Sequence, residues 1–85
     1  MTFVDTDGDS VEFRVNSATG KLEIVGAAFL DPPIQEVDMC MREGATIYFD
    51  SIGQSGETAA PDEDTARRVI ELFESCSTKA RLQVV

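Results

Sequence analysis

Four acidic side chains near the start of the chain have the type and spacing that could do chemistry. They are Asp5, Asp7, Asp9 and Glu12, and the three aspartates stand two residues apart around Gly8. Carboxylate oxygens gathered in one loop are the ligands that hard divalent cations prefer. The spacing therefore raises one chemical hypothesis, weak binding of a divalent cation such as calcium by these four residues.

The stretch resembles the opening of an EF-hand calcium loop, which carries carboxylates at loop positions 1, 3 and 5. If Asp5 takes position 1, the match fails later. Ser10 stands where the loop needs glycine, and Asn16 stands where it needs a bidentate glutamate. A β-hairpin turn uses the same residue types, because Asp and Gly tolerate positive φ. We favour the hairpin turn, with calcium binding at about millimolar strength or weaker as the alternative.

Few parts of a catalytic site occur elsewhere in the sequence. The chain has no histidine, so a cysteine or serine nucleophile lacks its commonest general base. Cys40 and Cys76 belong to no metal-binding spacing and fall on predicted apolar or sheet positions, where an inert, reduced thiol is expected. We predict no catalytic residues and no cofactor, and a small enzyme ranks third among the functional hypotheses.

The charge of the chain narrows the choice of partner. Sixteen acidic and seven basic side chains give a net charge of −9, which repels nucleic acid and anionic membrane surfaces. Solubility is the commoner reason for such a charge, and a protein or peptide partner, with a basic one matching the sign, is the other interpretation. No apolar run approaches the roughly 20 residues that span a bilayer, and the sequence begins with no signal-peptide pattern. The default expectation is a cytoplasmic protein.

Period-two patterns with turn signals between them dominate the first fifty residues, as half-buried strands require. A chain of 85 residues is expected to form a single globular domain, 1–85, with a thin core. In the fourth predicted strand, Val37, Met39 and Met41 alternate with polar residues and are expected in the core. Residues 51–61 are small and polar and predict a loop. The predicted strands span about 2–6, 10–16, 21–30, 34–41 and 45–50.

A helical period replaces the strand period after Pro61. Apolar residues at i, i+3, i+4 and i+7 predict an amphipathic helix at about 62–76, and the acids after Pro61 suit its N-terminus. Alternation resumes over 79–85 and predicts a short final strand. The apolar positions of the helix are Ala66, Val69, Ile70 and Phe73.

These elements predict an α+β fold, an antiparallel β-meander of five to six strands with the helix packed on one face. The plan is similar to that of pleckstrin-homology-like domains, so a roll closed by a C-terminal helix is the alternative architecture. For function, we expect a small non-catalytic binding or adaptor domain that acts through a sheet edge or an open sheet face. Exposure of Met39 and Met41 on such a face would indicate a docking surface.

Overall fold

The computed structural model describes residues 1–26 and 30–84, with side chains described as far as Cys76. Seven strands precede one helix in this part of the chain and form two antiparallel sheets, β1-β2-β3-β4 and β5-β6-β7. The predicted α+β class and antiparallel pairing are therefore confirmed. The elements are β1 (Thr2–Val4), β2 (Ser10–Val15), β3 (Leu22–Val25), β4 (Ile34–Glu36), β5 (Met39–Glu43), β6 (Thr46–Ser51), β7 (Gln54–Ala59) and α1 (Glu63–Val84).

The chain crosses from the first sheet to the second between β4 and β5. The backbone amide of Val37 donates to the carbonyl of Leu22 in the first sheet, at 2.8 Å. The next amide, that of Asp38, donates to the carbonyl of Asp50 in the second sheet, also at 2.8 Å. Two consecutive amides between β4 and β5 therefore bond to different sheets, and this point is one corner of the fold.

A second corner joins the beginning of the chain to its last strand. The amide of Thr6, just after β1, donates to the carbonyl of Ala59 at the end of β7, at 3.1 Å. The two sheets are therefore connected at two corners, and the helix follows them. The expected single meander of five to six strands is wrong in this respect, because seven described strands divide between two sheets.

The crossing corrects the predicted strand 34–41, which is two strands. Before the crossing Val37 is buried, and after it Cys40 is buried, so the inward residues stand three apart instead of two. The extra residue reverses the alternation along β5. Met39 and Met41, predicted to lie in the core, are 37% and 54% exposed.

The predicted loop 51–61 contains strand β7, which pairs with β6 along its whole length. Glycine in a strand interior usually weakens it, but Gly56 lies opposite Phe49, whose ring covers it. A Cβ atom added to Gly56 would be 2.7 Å from Cζ of Phe49, so any other residue type would require the ring to shift. The small residues that predicted a loop therefore allow close packing of a strand.

Helix α1 begins after Asp62, whose carboxylate accepts a hydrogen bond from the Thr65 amide at 2.7 Å. That backbone hydrogen bond holds the pKa of Asp62 below its usual range. The helix continues to Val84, so the predicted final strand over 79–85 is wrong for 79–84, and Val85 lies outside the described residues. The second half of the predicted strand 21–30 falls largely on residues 27–29, which also lie outside them.

The core lies between the two sheets and the helix, which packs mainly against β5, β3 and β6. Burial of each large apolar side chain there contributes roughly 1.5–3 kcal/mol in transfer terms. Ile70 and Phe73 are half-buried and pack against the core, whereas Val15, the last residue of β2, is 37% exposed. The larger buried side chains are Phe3, Val11, Phe13, Leu22, Ile24, Val37, Ile47, Phe49 and Val69.

The turn between β6 and β7 contains a strained residue. Ile52 and Gly53 have φ values of 51° and 73°, the two positive angles of a type I′ hairpin turn. Gly adopts such an angle freely, but a β-branched side chain does not, and the strain is of order 1–3 kcal/mol. The Ile52 side chain is 60% exposed, so its packing offsets little of this strain.

We expect Ile52→Asn to raise the free energy of unfolding by about 1 kcal/mol, because Asn tolerates positive φ and little apolar burial is lost. Urea denaturation of both proteins measures the difference. Val4→Asn is the control, since Val4 is 58% exposed and has no positive φ. An equal change in both variants, or a loss of stability at Ile52→Asn, would contradict the assignment of strain to this turn.

Candidate functional site

The carboxylate of Asp5 organises the first turn of the chain, between β1 and β2. Its Oδ1 atom accepts hydrogen bonds from the backbone amides of Asp7 and Asp9, both at 3.0 Å. Its Oδ2 atom accepts a hydrogen bond from the hydroxyl of Thr58 in β7, at 3.3 Å. Gly8 has a φ of 88°, and β1 and β2 pair antiparallel on either side of the turn. The hairpin predicted for residues 7–9 is confirmed.

The other three acids of this stretch have separate surroundings. Asp7 is exposed and Asp9 is half-buried, while Glu12 lies on β2 with Oε1 3.7 Å from the guanidinium of Arg14. Among the described residues, no group of three or more acidic, cysteine or histidine side chains could hold a metal ion. The Asp5 carboxylate thus has a structural role, and calcium binding by Asp5, Asp7, Asp9 and Glu12 stays a prediction.

We expect Asp5→Ala to lower the free energy of unfolding by about 2 kcal/mol, because two amides and one hydroxyl lose a charged acceptor. Asp5→Asn keeps one carbonyl oxygen for the two amides and should lose less than half as much. Chemical denaturation of the two variants beside the wild type measures both values. Equal losses in the two variants would show that the acceptor oxygen at Oδ1 contributes little.

Calcium should cause no saturable amide shifts in residues 5–12 below about 1 mM. A bound cation would have to compete with the amides of Asp7 and Asp9 for the Oδ1 atom of Asp5. NMR titration of the wild type and of an Asp7→Asn/Asp9→Asn variant tests this expectation. Saturation of the wild type at micromolar calcium, lost in the variant, would instead establish a cation site at the turn.

The two cysteines are buried and free, and both lie against the core. Burial raises the pKa of the Cys40 thiol to about 12, so this group stays protonated at any physiological pH. A protonated, buried thiol is a poor nucleophile and a poor metal ligand. Cys40 therefore acts as a small apolar side chain on β5.

The outer face of the second sheet is the most distinctive surface of the described chain. We define this outer face as the side chains of β5, β6 and β7 that point away from the core. The pairing register arranges them in three rows, one residue from each strand in a row. The rows are Met39–Asp50–Ser55, Met41–Tyr48–Glu57 and Glu43–Thr46–Ala59.

Apolar and aromatic groups of the outer face remain open to solvent. Met39, Met41 and the half-buried Tyr48 border an open depression of about 350 Å³. No helix or loop of the described chain covers the two methionines, since each keeps a third or more of its surface. Ile52, at the tip of the β6–β7 turn, adds another exposed apolar side chain at the Met39 end of the sheet.

Acidic groups stand among these apolar side chains. The hydroxyl of Ser55 donates to Oδ1 of Asp50 at 2.7 Å, and Glu43 and Glu57 are exposed. Among the described side chains, no basic group forms an ion pair with any of these three acids. Arg42, the basic residue of β5, donates instead to the backbone carbonyl of Gly44. The outer face is therefore both apolar and negatively charged.

Two features of the sequence indicate this surface, but commoner sequence patterns favoured a different prediction. The inward positions Val37 and Cys40 stand three apart, which a single alternating strand does not permit. Ile52-Gly53 forms the two-residue turn that starts β7, but the usual signal for such a turn is Asn or Asp before glycine. Because the sequence predicted a loop in place of β7 and the opposite alternation along β5, it did not place Met39, Met41 and Glu57 on one face.

Comparison of the chain with protein-family models, with curated proteins and with solved structures finds no significant match. Among the described residues, no helix has the length and apolar character needed to cross a membrane.

Proposed function

We propose that this chain is a small non-catalytic binding domain whose outer face on the second sheet binds a partner protein. The observation that carries the proposal is the exposure of Met39 and Met41 beside Tyr48, over a depression large enough for an apolar side chain. Exposed apolar patches on small proteins commonly mark interaction surfaces. Methionine side chains also adapt their shape to different partners at low cost.

Charge complementarity selects a basic partner. Glu43, Asp50 and Glu57 lie on the same face and have no described basic side chain to neutralise them, and the whole chain has a net charge of −9. A partner surface with an apolar anchor flanked by lysine or arginine would match both properties of the face. A second copy of this chain is disfavoured, because it brings another nine negative charges to the interface.

A selection from a random peptide display library tests the proposal. The target is the wild-type domain, and each enriched peptide is then titrated against Met39→Glu/Met41→Glu. The matched control is Val4→Glu/Ile34→Glu, which changes two apolar residues of similar exposure on the first sheet and adds the same charge. Folding of each variant is checked by NMR before titration.

We expect enriched peptides to carry net positive charge and an apolar residue, and to bind the wild type and the control with similar affinity. The methionine variant should bind them at least tenfold more weakly, about 1.4 kcal/mol. Peptides that bind the methionine variant as well as the wild type would overturn the proposal. Failure of the library to yield any ligand for the folded wild type would overturn it as well.

A further inference from the structure

The backbone of β7 turns some of its hydrogen-bonding groups away from the sheet. The carbonyl of Ala59 accepts from Thr6, on the side away from β6, whereas the next amide, that of Ala60, donates to Ala45 on the β6 side. Backbone groups of successive strand residues alternate between the two sides. The N–H and C=O groups of Ser55 and Glu57 therefore point away from β6, like those of Ala59.

Within residues 1–26 and 30–84, these outward groups form a free strand edge. In the described part of the chain, no backbone hydrogen bond reaches the outward groups of Ser55 and Glu57. Strand β1 meets this edge at Ala59 through Thr6 and does not pair along it. No proline or lysine between Gln54 and Glu57 blocks the edge, although both are common protections in natural sheets. We define residues 54–57 as the β7 edge.

Depressions lie on both sides of the β7 edge. On the outer face, Tyr48, Ser55, Gly56 and Glu57 line a depression of about 270 Å³. On the side that faces the first sheet, a depression of about 210 Å³ lies between the β7 edge and other residues of the fold, which are Leu30, Gln35, Phe49 and Ser51. An extended segment sends successive side chains to opposite faces, so its alternate residues would enter one depression and then the other.

The chemistry of the outer depression favours a basic side chain. Tyr48 and Glu57 are directly opposite each other in the β6–β7 pairing, so their side chains project from neighbouring positions on the same face, and both line the depression. An arginine or lysine placed there can lie against the aromatic ring and pair with the carboxylate at once.

We propose that an extended, basic peptide segment binds the β7 edge as an added strand, with an arginine or lysine in the depression between Tyr48 and Glu57. The inference rests on the proposed function, because it specifies how a basic partner engages the second sheet. Main-chain hydrogen bonds to Ser55 and Glu57 supply binding that is independent of sequence, and the basic side chain supplies selectivity. A second copy of this chain offers no such basic residue at its own β7 edge.

The probe is a capped seven-residue peptide of alternating valine and threonine with arginine at the centre, compared with the same peptide carrying glutamate there. Each is titrated by NMR into the wild type, Ser55→Pro and Ser55→Ala. Proline removes the outward N–H of residue 55 and leaves the β6 pairing intact, whereas alanine removes only the hydroxyl. Hydrogen exchange of the Ser55 and Glu57 amides is measured in the wild type with and without peptide.

The arginine peptide should bind the wild type and Ser55→Ala alike, bind Ser55→Pro at least tenfold more weakly, and slow exchange of both amides. The glutamate peptide should not bind. Unchanged binding by Ser55→Pro, unchanged exchange, or failure of the arginine peptide to bind would overturn the strand mode. If Ser55→Pro does not fold, the exchange measurement on the wild type decides.

Different results would contradict the proposed outer-face function and the proposed β7 edge mode. Library peptides that lose binding to Met39→Glu/Met41→Glu but not to Ser55→Pro would support the outer face and overturn the β7 edge mode. Loss of binding in Ser55→Pro alone would support the edge and overturn the role of the methionines. Dimerisation of the wild type that Ser55→Pro abolishes, without peptide binding, would assign the edge to a second copy of the chain.

Discussion

The arrangement of the two sheets depends on two consecutive backbone amides that donate to different sheets. The Val37 amide completes the first sheet, and the Asp38 amide starts the second. The side chains of a strand alternate between two faces. The one extra residue at the crossing therefore moves each side chain of β5 to the face opposite to the one that uninterrupted alternation predicts. Cys40 therefore enters the core, and the methionines on either side of it face outward.

The sequence predicts those features that depend only on residues close together in the chain. The alternation of Val11 and Phe13 and the spacing of Ala66 and Val69 each follow from burial on one side, and the structure buries all four. The turn at Gly8 follows from the conformational freedom of glycine and the hydrogen-bonding capacity of Asp5. These features depend on neighbours within a few residues, which the sequence displays directly.

Features that depend on distant partners could not be predicted in the same way. Whether Gly56 lies in a strand depends on the ring of Phe49 across the sheet, and whether Met39 is inside depends on the crossing at Asp38. Alternation resumes after Lys79, but the helix continues through this region to Val84. The candidate site was missed for the same reason, because it is assembled from three strands whose phase and existence both depend on tertiary pairing.

The two oxygens of Asp5 have consequences for the order in which the chain can become stable. Oδ1 is satisfied by amides two and four residues away, so that part of the first hairpin is available as soon as the N-terminal segment leaves the ribosome. Oδ2 gains its hydrogen-bond donor only when Thr58 is synthesised, 53 residues later. Until then, water must solvate a carboxylate that is nearly buried in the folded domain. A nascent chain interrupted before β7 would therefore lack the Thr58 hydroxyl, and the first turn would reach its complete set of hydrogen bonds only when the last strand is added.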